Sequence, residues 1–465
     1  MKKFLRCGIL SSIVLLGGCE IRSRIPDLVP SPNSSPALNQ GIPLKGNIVR
    51  VGAARAEFIP ERPTALSGYG GVARRFLFPL FAKGGEISFC RPYEKIVQPP
   101  KIKTAVFEIR QSNALENQNL FLVSLDLVAV TSDMTQKIHA AIDEVTGKKS
   151  ANLNNTLVVA THTHSGPAGL SENPLWSAFV CDQYNPPLAN AYVSVFKDTL
   201  RRALGQLQNV ESISTRASEA AQLLKSRFEG MRANNDVSLL SFNTANARAP
   251  LALLRMAVHP TSYGPSDLVL SADLVAPLEQ AVGSAFDLEN VFLLQTEIGN
   301  MTANNSNLSN DMWAKNVAEA LRNTQSISSS NNLTMSTSAG TIELPSARIN
   351  WSGCGASQAD TLVGVRVLEN LPQQAHLTFW RINDELNLFL PGEWTTSGAT
   401  EVKNAFASRL AAGQTMKLHS LAHDYTGYHL SRSDYGSKAL ESCSSLYGAD
   451  GTYVLSSGLA EIPLP

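Results

Sequence analysis

The chain has no excess of charge of either sign, with 39 Lys and Arg against 39 Asp and Glu. A nucleic-acid partner would leave a basic surplus, so this balance gives no electrostatic ground for one. There is no C-x-x-C pair among the six cysteines, which argues against a thiolate zinc site. No G-x-S-x-G elbow occurs, which counts against a serine hydrolase of the α/β type. Walker motifs, internal repeats and coiled-coil heptads are also missing. No apolar run approaches the roughly 20 residues that span a bilayer.

The N-terminus carries export features. Met1-Lys2-Lys3 is basic, Ile9 to Leu16 is mostly apolar, and Leu16-Gly17-Gly18-Cys19 resembles the bacterial lipobox. In that pattern the signal is cut before Cys19 and the cysteine is lipidated. Residues 1–18 therefore read as a lipoprotein signal peptide, and residues 19–46 as the lipidated Cys with a Pro- and Ser-rich tether. Residues 47–465 read as one hydrolase domain. Glu20 rather than Asp follows the cysteine, so the expected location is the outer membrane, periplasmic or surface-facing. With Cys7 removed and Cys19 lipidated, Cys90, Cys181, Cys354 and Cys443 remain, and an oxidising compartment allows them two disulfides in three possible pairings. The oligomeric state is not set by the sequence.

Hydrophobic periodicity alternates between strand and helix. Strands are expected at 104–110, 120–125, 157–161, 251–258, 291–295, 341–344, 363–368, 376–379, 386–390 and 416–421. Helices are expected at 133–145, 189–207, 272–286, 311–321 and 402–412. This alternation predicts an α/β (mixed α+β) domain, with buried mixed sheets flanked by helices.

Four places share one design, in which an apolar strand runs out into a polar loop. His162 and His164 follow Leu157-Val158-Val159-Ala160, and His259 follows Met256-Ala257-Val258. Glu393 follows Leu388-Phe389-Leu390-Pro391-Gly392, and Tyr425 follows His423-Asp424. Two imidazoles, a carboxylate and a phenol oxygen suit a borderline ion such as zinc, with one position left for water. Zinc brings the pKa of its water from about 16 to roughly 7 and polarises a carbonyl. His164, one residue removed from His162, is better placed to donate a hydrogen bond to a developing oxyanion. These parts fit hydrolysis of an acyl bond.

The same residues closely resemble the neutral/alkaline, non-lysosomal ceramidase family, zinc amidases that split the N-acyl bond of ceramide. Thr161 to Gly169 is the most specific match. Val51 to Ala56, Ser67-Gly68-Tyr69-Gly70, Val123 to Asp126, His259-Pro260-Thr261-Ser262, Gln295 to Asn300, Pro391 to Thr396 and Asp424 to Tyr428 follow in family order, with Asp434-Tyr435 beyond. The resemblance covers the catalytic domain, without the C-terminal β-sandwich that known members usually carry. It implies His162, His259, Glu393 and Tyr425 as zinc ligands and His164 as the oxyanion stabiliser. Tyr435 or Tyr428 would add a hydrogen bond near the carbonyl. Arg232, ahead of Arg227, would meet the polar end of the substrate. Ser262, Tyr263 and Gly166 would line the pocket. Pro260, Tyr263 and Asn300 depart from the family pattern, which opens the substrate question.

The leading expectation is zinc-dependent cleavage of ceramide or a ceramide-like membrane lipid to fatty acid and free amine, with attachment to the membrane through Cys19. Two alternatives remain. One is a related zinc amidase acting on a non-sphingoid N-acyl or cyclic amide. The other is a non-catalytic exported lipid-binding protein.

Overall fold

The computed structural model describes residues 38–465, apart from 70–71, 82–86, 112–115, 175, 177–179, 181–182, 229, 246–248, 306, 332, 358 and 364–369. The segment expected to be a signal peptide, Cys19, Cys181 and most of the strand expected at 363–368 lie outside the described residues.

Two sheets form the centre. The larger has nine strands. Its main path runs Thr415–His419, Glu385–Phe389, Gln374–Ile382, Thr334–Glu343, Lys45–Glu57, Lys101–Arg110, Gln118–Leu125, Thr156–Ala160, and Gln208–Asn209 pairs off Lys45–Glu57. The second has five, in the order Val291–Gln295, Leu251–Met256, Asp236–Asn243, Ser212–Glu219, Ser326–Ser330. Both sheets are mixed, as expected from the sequence.

Strand alternation explains the layering. Along Gln118–Leu125, Phe121, Val123 and Leu125 enter one core, while Leu120 and Leu122 enter another. Along Thr156–Ala160, Val158 and Ala160 face the first core, and Leu157 and Val159 the second. Successive side chains leave a strand on opposite faces, so a strand apolar on both is buried on both. The first core is closed by the helices Ser132–Thr146 and Pro186–Gly205, through Ile138, Ile142, Phe196 and Leu200. The second core lies between the two sheets, where Phe107 and Leu157 share it with Phe242, Leu253, Phe292 and Leu294. The far face of the five-stranded sheet is covered by Val275–Phe286 and Asn310–Arg322. The result is a helix–sheet–sheet–helix sandwich.

A fourth core packs Thr396–Phe406 and Gly451–Glu461 on the other end of the large sheet. The helix expected at 402–412 thus begins at Thr396 and ends at Phe406, followed by a 3-10 turn, Ala407–Arg409. Cys354 and Cys443 form a disulfide across 89 residues of sequence. Cys90 is buried and also disulfide-bonded. Among the described residues no helix is long and apolar enough to cross a membrane.

Candidate metal centre

Two parallel strand pairs point their carboxyl ends at the same place. Thr156–Ala160 runs parallel to Gln118–Leu125, and Leu251–Met256 parallel to Val291–Gln295. His162 lies two residues past the first pair and His259 three past the second. The side-chain amide of Gln295 ties the two ends together, donating to the carbonyls of Thr161 and Val258, both at 2.8 Å.

Main-chain bonds bring in the rest. Leu421 accepts from Ala160 N at 3.1 Å, and His423 N donates to Val158 O at 2.8 Å, so residues 421–423 run beside the strand that carries His162. Leu421 N in turn donates to Gly392 O at 2.9 Å, and Glu393 N to Gly427 O at 2.8 Å. Gly392 has φ +76°, and a Cβ there would meet Gly427 O at 2.5 Å, so this close crossing requires glycine. His162, Leu421 and His423 hold left-handed backbone, φ 72°, 64° and 62°. Such conformations cost about 1–3 kcal/mol each for residues with side chains and gather at functional sites.

The imidazoles are aimed from behind. His162 Nδ1 lies 2.5 Å from Val128 O, and His259 Nδ1 lies 2.9 Å from Met301 O. A carbonyl only accepts, so both Nδ1 atoms carry the proton and both Nε2 atoms present lone pairs. Those Nε2 atoms stand 3.2 and 3.1 Å from Glu393 Oε2. His259 Nε2 and Glu393 Oε2 are buried and make no hydrogen bond, despite facing each other. His164 Nε2 lies 3.2 Å from His162 Nε2. The ligand atoms of His162, His164 and His259 fall within 4.8 Å of one another, and this trio could hold a metal ion. Two lone pairs, each aimed by a carbonyl behind its ring, converge with a carboxylate oxygen on one point, which is the donor set of a divalent cation.

Electrostatics supports the same picture. Burial pushes His259 down to about 3, helped by the nearby charge of Arg227. Burial, then His162 and His259, hold His164 well below the usual imidazole value. Burial alone would raise Glu393, but the facing His162 and His259 outweigh it and keep the carboxyl well below the usual range. His164 and His259 are thus held neutral and Glu393 ionised, the protonation that ligation needs.

Two phenols reach Glu393. Tyr425 OH donates to Glu393 Oε1 at 2.8 Å. Its backbone N donates to Asp424 Oδ1 at 2.8 Å, and the same oxygen accepts from Ser132 N at 3.1 Å, which docks the tyrosine on the start of the Ser132–Thr146 helix. Tyr428 is close enough to feel the charge of Glu393, and its hydroxyl accepts from Arg227 Nη2 at 3.3 Å. Tyr435 lies elsewhere, with its hydroxyl donating to Asp360 at 2.9 Å.

Of the two arginines, Arg227 is the one whose side chain reaches the cluster. Arg227 bonds Tyr428 and Gly299 O, whereas Arg232 is exposed and meets this region through its backbone carbonyl, which accepts from Asn300 Nδ2 at 2.9 Å. The segment Leu224–Ser226 pairs with Met301–Ala303, beside the His259 carbonyl partner, and so delivers residue 227 rather than 232. Ser262 is exposed, bonded through its hydroxyl to Asn310, and its backbone N and that of Tyr263 donate to Asp273. Gly166 is buried, and a Cβ there would meet Asp126 O at 2.8 Å, so its role in this structure is close packing.

Apart from Tyr69, which lies in the Ser67–Gly70 stretch of the resemblance, several residues beside the cluster carried no sequence signal. Tyr69 packs its ring 4.6 Å from that of His164, and Arg74, fully buried, stacks on Tyr69 and donates to His164 O at 2.7 Å. Trp176 meets Tyr425 edge-on at 5.2 Å. Trp176 also lines a cleft with Leu127, Val128, Met134, Pro167 and Leu170. Glu441, fully buried, pairs with Arg227.

Comparison with solved structures decides the architecture. The neutral ceramidase of Pseudomonas aeruginosa superposes with a TM-score of 0.69 at 18% identity, over 89% of this chain and 73% of that one. A ceramidase complexed with C2 gives 0.70 at 17% identity, over 88% and 74%. The chain has the neutral ceramidase fold. No protein-family model and no curated protein sequence matches it. Identity this low carries the fold and leaves the chemistry to the site itself.

Proposed function

We propose that this protein is a zinc-dependent hydrolase of N-acyl amide bonds, acting on ceramide or a ceramide-like lipid. The observation that carries the reading is the convergence of His162 Nε2, His259 Nε2 and Glu393 Oε2, within 3.1–3.2 Å, on a point where two of these buried atoms lack any hydrogen bond. In this reading His162, His259 and Glu393 hold the ion, with a phenol oxygen from Tyr425 or Tyr428. When bound, zinc supplies Lewis acidity and acidifies water.

The chain's own groups do the remainder. Glu393, kept ionised by its neighbours, accepts the proton of the attacking water. His164, kept neutral by burial, offers an N–H to the carbonyl oxygen as charge develops there. Tyr428, steadied by Arg227, adds a second donor on the same side. The narrow cleft at Trp176, Leu170 and Met134 adjoins Tyr425 and would have to widen to take the acyl chain, each buried methylene contributing about 0.8 kcal/mol. His164 and Tyr425 are the half-buried members of the cluster, so the substrate approaches from their side.

Export as an outer-membrane lipoprotein belongs to the same proposal, because anchoring through Cys19 concentrates the enzyme at its lipid. Loss of labelled fatty acid from the protein on Cys19→Ser is the expected check.

The test is incubation of the purified, zinc-replete protein with N-acyl sphingosines, N-acyl amino acids and simple fatty amides. Fatty acid release from the sphingoid amide supports the full reading. Release only from the others moves the substrate to a non-sphingoid amide. No release from any, with no zinc retained, leaves a lipid-binding protein.

A further inference from the structure

Arg227 stands between two buried carboxylates. Its guanidinium interacts electrostatically with both Glu393 and Glu441, and those two carboxylates repel each other across it. Its Nη2 donates to Glu441 Oε1, to Gly299 O at 2.9 Å and to Tyr428 OH at 3.3 Å. The Glu441 side chain is 0% exposed, and its second oxygen has no hydrogen-bond partner.

This is an expensive way to stabilise a fold. A buried ion pair with an unsatisfied oxygen is often no better than well-packed apolar side chains. Stability alone does not account for an acid at this position.

The backbone carrying Glu441 is clamped on both sides. Glu441 sits in the four-residue helix Leu440–Cys443, which ends at the Cys354–Cys443 disulfide. Asn350, fully buried, donates through Nδ2 to Tyr435 O at 2.8 Å and to Ser442 O at 2.9 Å. Cys354 N donates to Asn350 O at 3.0 Å, so one turn, Asn350 to Cys354, supplies both anchors.

We propose that Glu441 is a positioning residue of the metal centre: held by the Cys354–Cys443 clamp, it neutralises and orients Arg227, which fixes the Tyr428 hydroxyl against Glu393. The proposal deepens the hydrolase reading and rests on it for the identity of the reaction, though not for the metal.

The experiment uses the full chain loaded with zinc, in wild-type, E441Q, R227Q and E441Q/R227Q forms. Zinc affinity is read by chelator competition, and kcat and KM with a fluorogenic N-acyl sphingosine. Partners one layer behind metal ligands typically matter by 10–100-fold, so E441Q is expected to weaken zinc and lower kcat by about tenfold or more, with KM shifted by about threefold at most. In the R227Q background the same substitution should change either quantity by about twofold at most, because its effect passes through Arg227. The C354S/C443S form, which leaves every charge in place, should show the E441Q changes in weaker form.

Equal effects of E441Q in both backgrounds would overturn the proposal, as would wild-type zinc affinity in E441Q. Wild-type zinc affinity in C354S/C443S would overturn the clamp. Zinc affinities that couple as expected, in a protein that cleaves no N-acyl amide, would uphold the positioning role and remove the hydrolase reading.

Discussion

At the scale of single residues, the account makes His162, His259 and Glu393 inseparable. His259→Ala removes one lone pair and leaves Glu393 Oε2 without its 3.1 Å neighbour. Zinc content is expected to drop from about one per chain to near zero, with activity reduced by about 10³-fold or more, read by metal analysis and steady-state kinetics. The two phenols separate by a different contact. Tyr428 receives the Arg227 N–H, which works against the burial and the Glu393 charge that keep its hydroxyl protonated, and Tyr425 meets Glu393 and the ring of Trp176. Tyr428→Phe should therefore cost about 100-fold in kcat and Tyr425→Phe less, and the reverse order would assign the charge-bearing oxygen to Tyr425. The H-x-H pair was legible in the sequence because an unbroken apolar strand feeds it. The choice of Arg227 over Arg232 was not, because it depends on which residue follows a three-residue strand paired 77 positions away, Leu224–Ser226 with Met301–Ala303.

At the scale of elements, the buried Lys103 holds the strand ends beneath the centre. Its ammonium lies 2.9 Å from Asp126 Oδ1 and 2.6 Å from Glu279 Oε1. Asp126 Oδ1 also accepts from Thr161 Oγ1 at 3.0 Å, one residue before the strained His162. Lys103→Met leaves two buried carboxylates uncompensated and should cost about 3–5 kcal/mol in urea unfolding. Thr161→Val removes only one hydrogen bond, worth about 1 kcal/mol of stability, so a larger loss of zinc affinity than of stability would show that this bond orients His162. The strands at Thr156–Ala160 and Val291–Gln295 were readable because both faces are apolar. Ser212–Glu219 and Lys45–Glu57 were missed as strands because their sequences, SISTRASE and KGNIVRVGAARAE, mix polar and small residues without clean alternation. Their place comes from pairing with distant partners, Asp236–Asn243 and Lys101–Arg110. The helix Gly451–Glu461 was missed because two glycines and two serines weaken its local preference, and packing against the large sheet secures it.

At the scale of the whole molecule, the four-layer sandwich buries histidines outside the proposed ligand set, and this sets a pH dependence. Burial lowers His376 to about 4 and His429 to about 3, against an ordinary value of 6.5. Between pH 6.5 and 4 the unfolded chain therefore holds more protons at His376 than the folded one. Stability falls as pH drops through that window, by up to about 1.4 kcal/mol per pH unit for each such group. His376→Gln should flatten the urea midpoint between pH 6.5 and 4 relative to wild type, while an unchanged slope would mean that His376 charges freely in the folded state. The mixed sheet-and-helix class was legible from periodicity, but the stacking of two sheets on one interior was not, since no local pattern states which sheet a strand joins. That stacking brings side chains from positions 162, 259 and 393 to one point. The most direct test is diffraction from zinc-replete crystals on either side of the zinc absorption edge. The account predicts one anomalous peak within coordination distance of His162 Nε2, His259 Nε2 and Glu393 Oε2, and a metal-replete crystal with no peak there, or with its peak elsewhere, would contradict it.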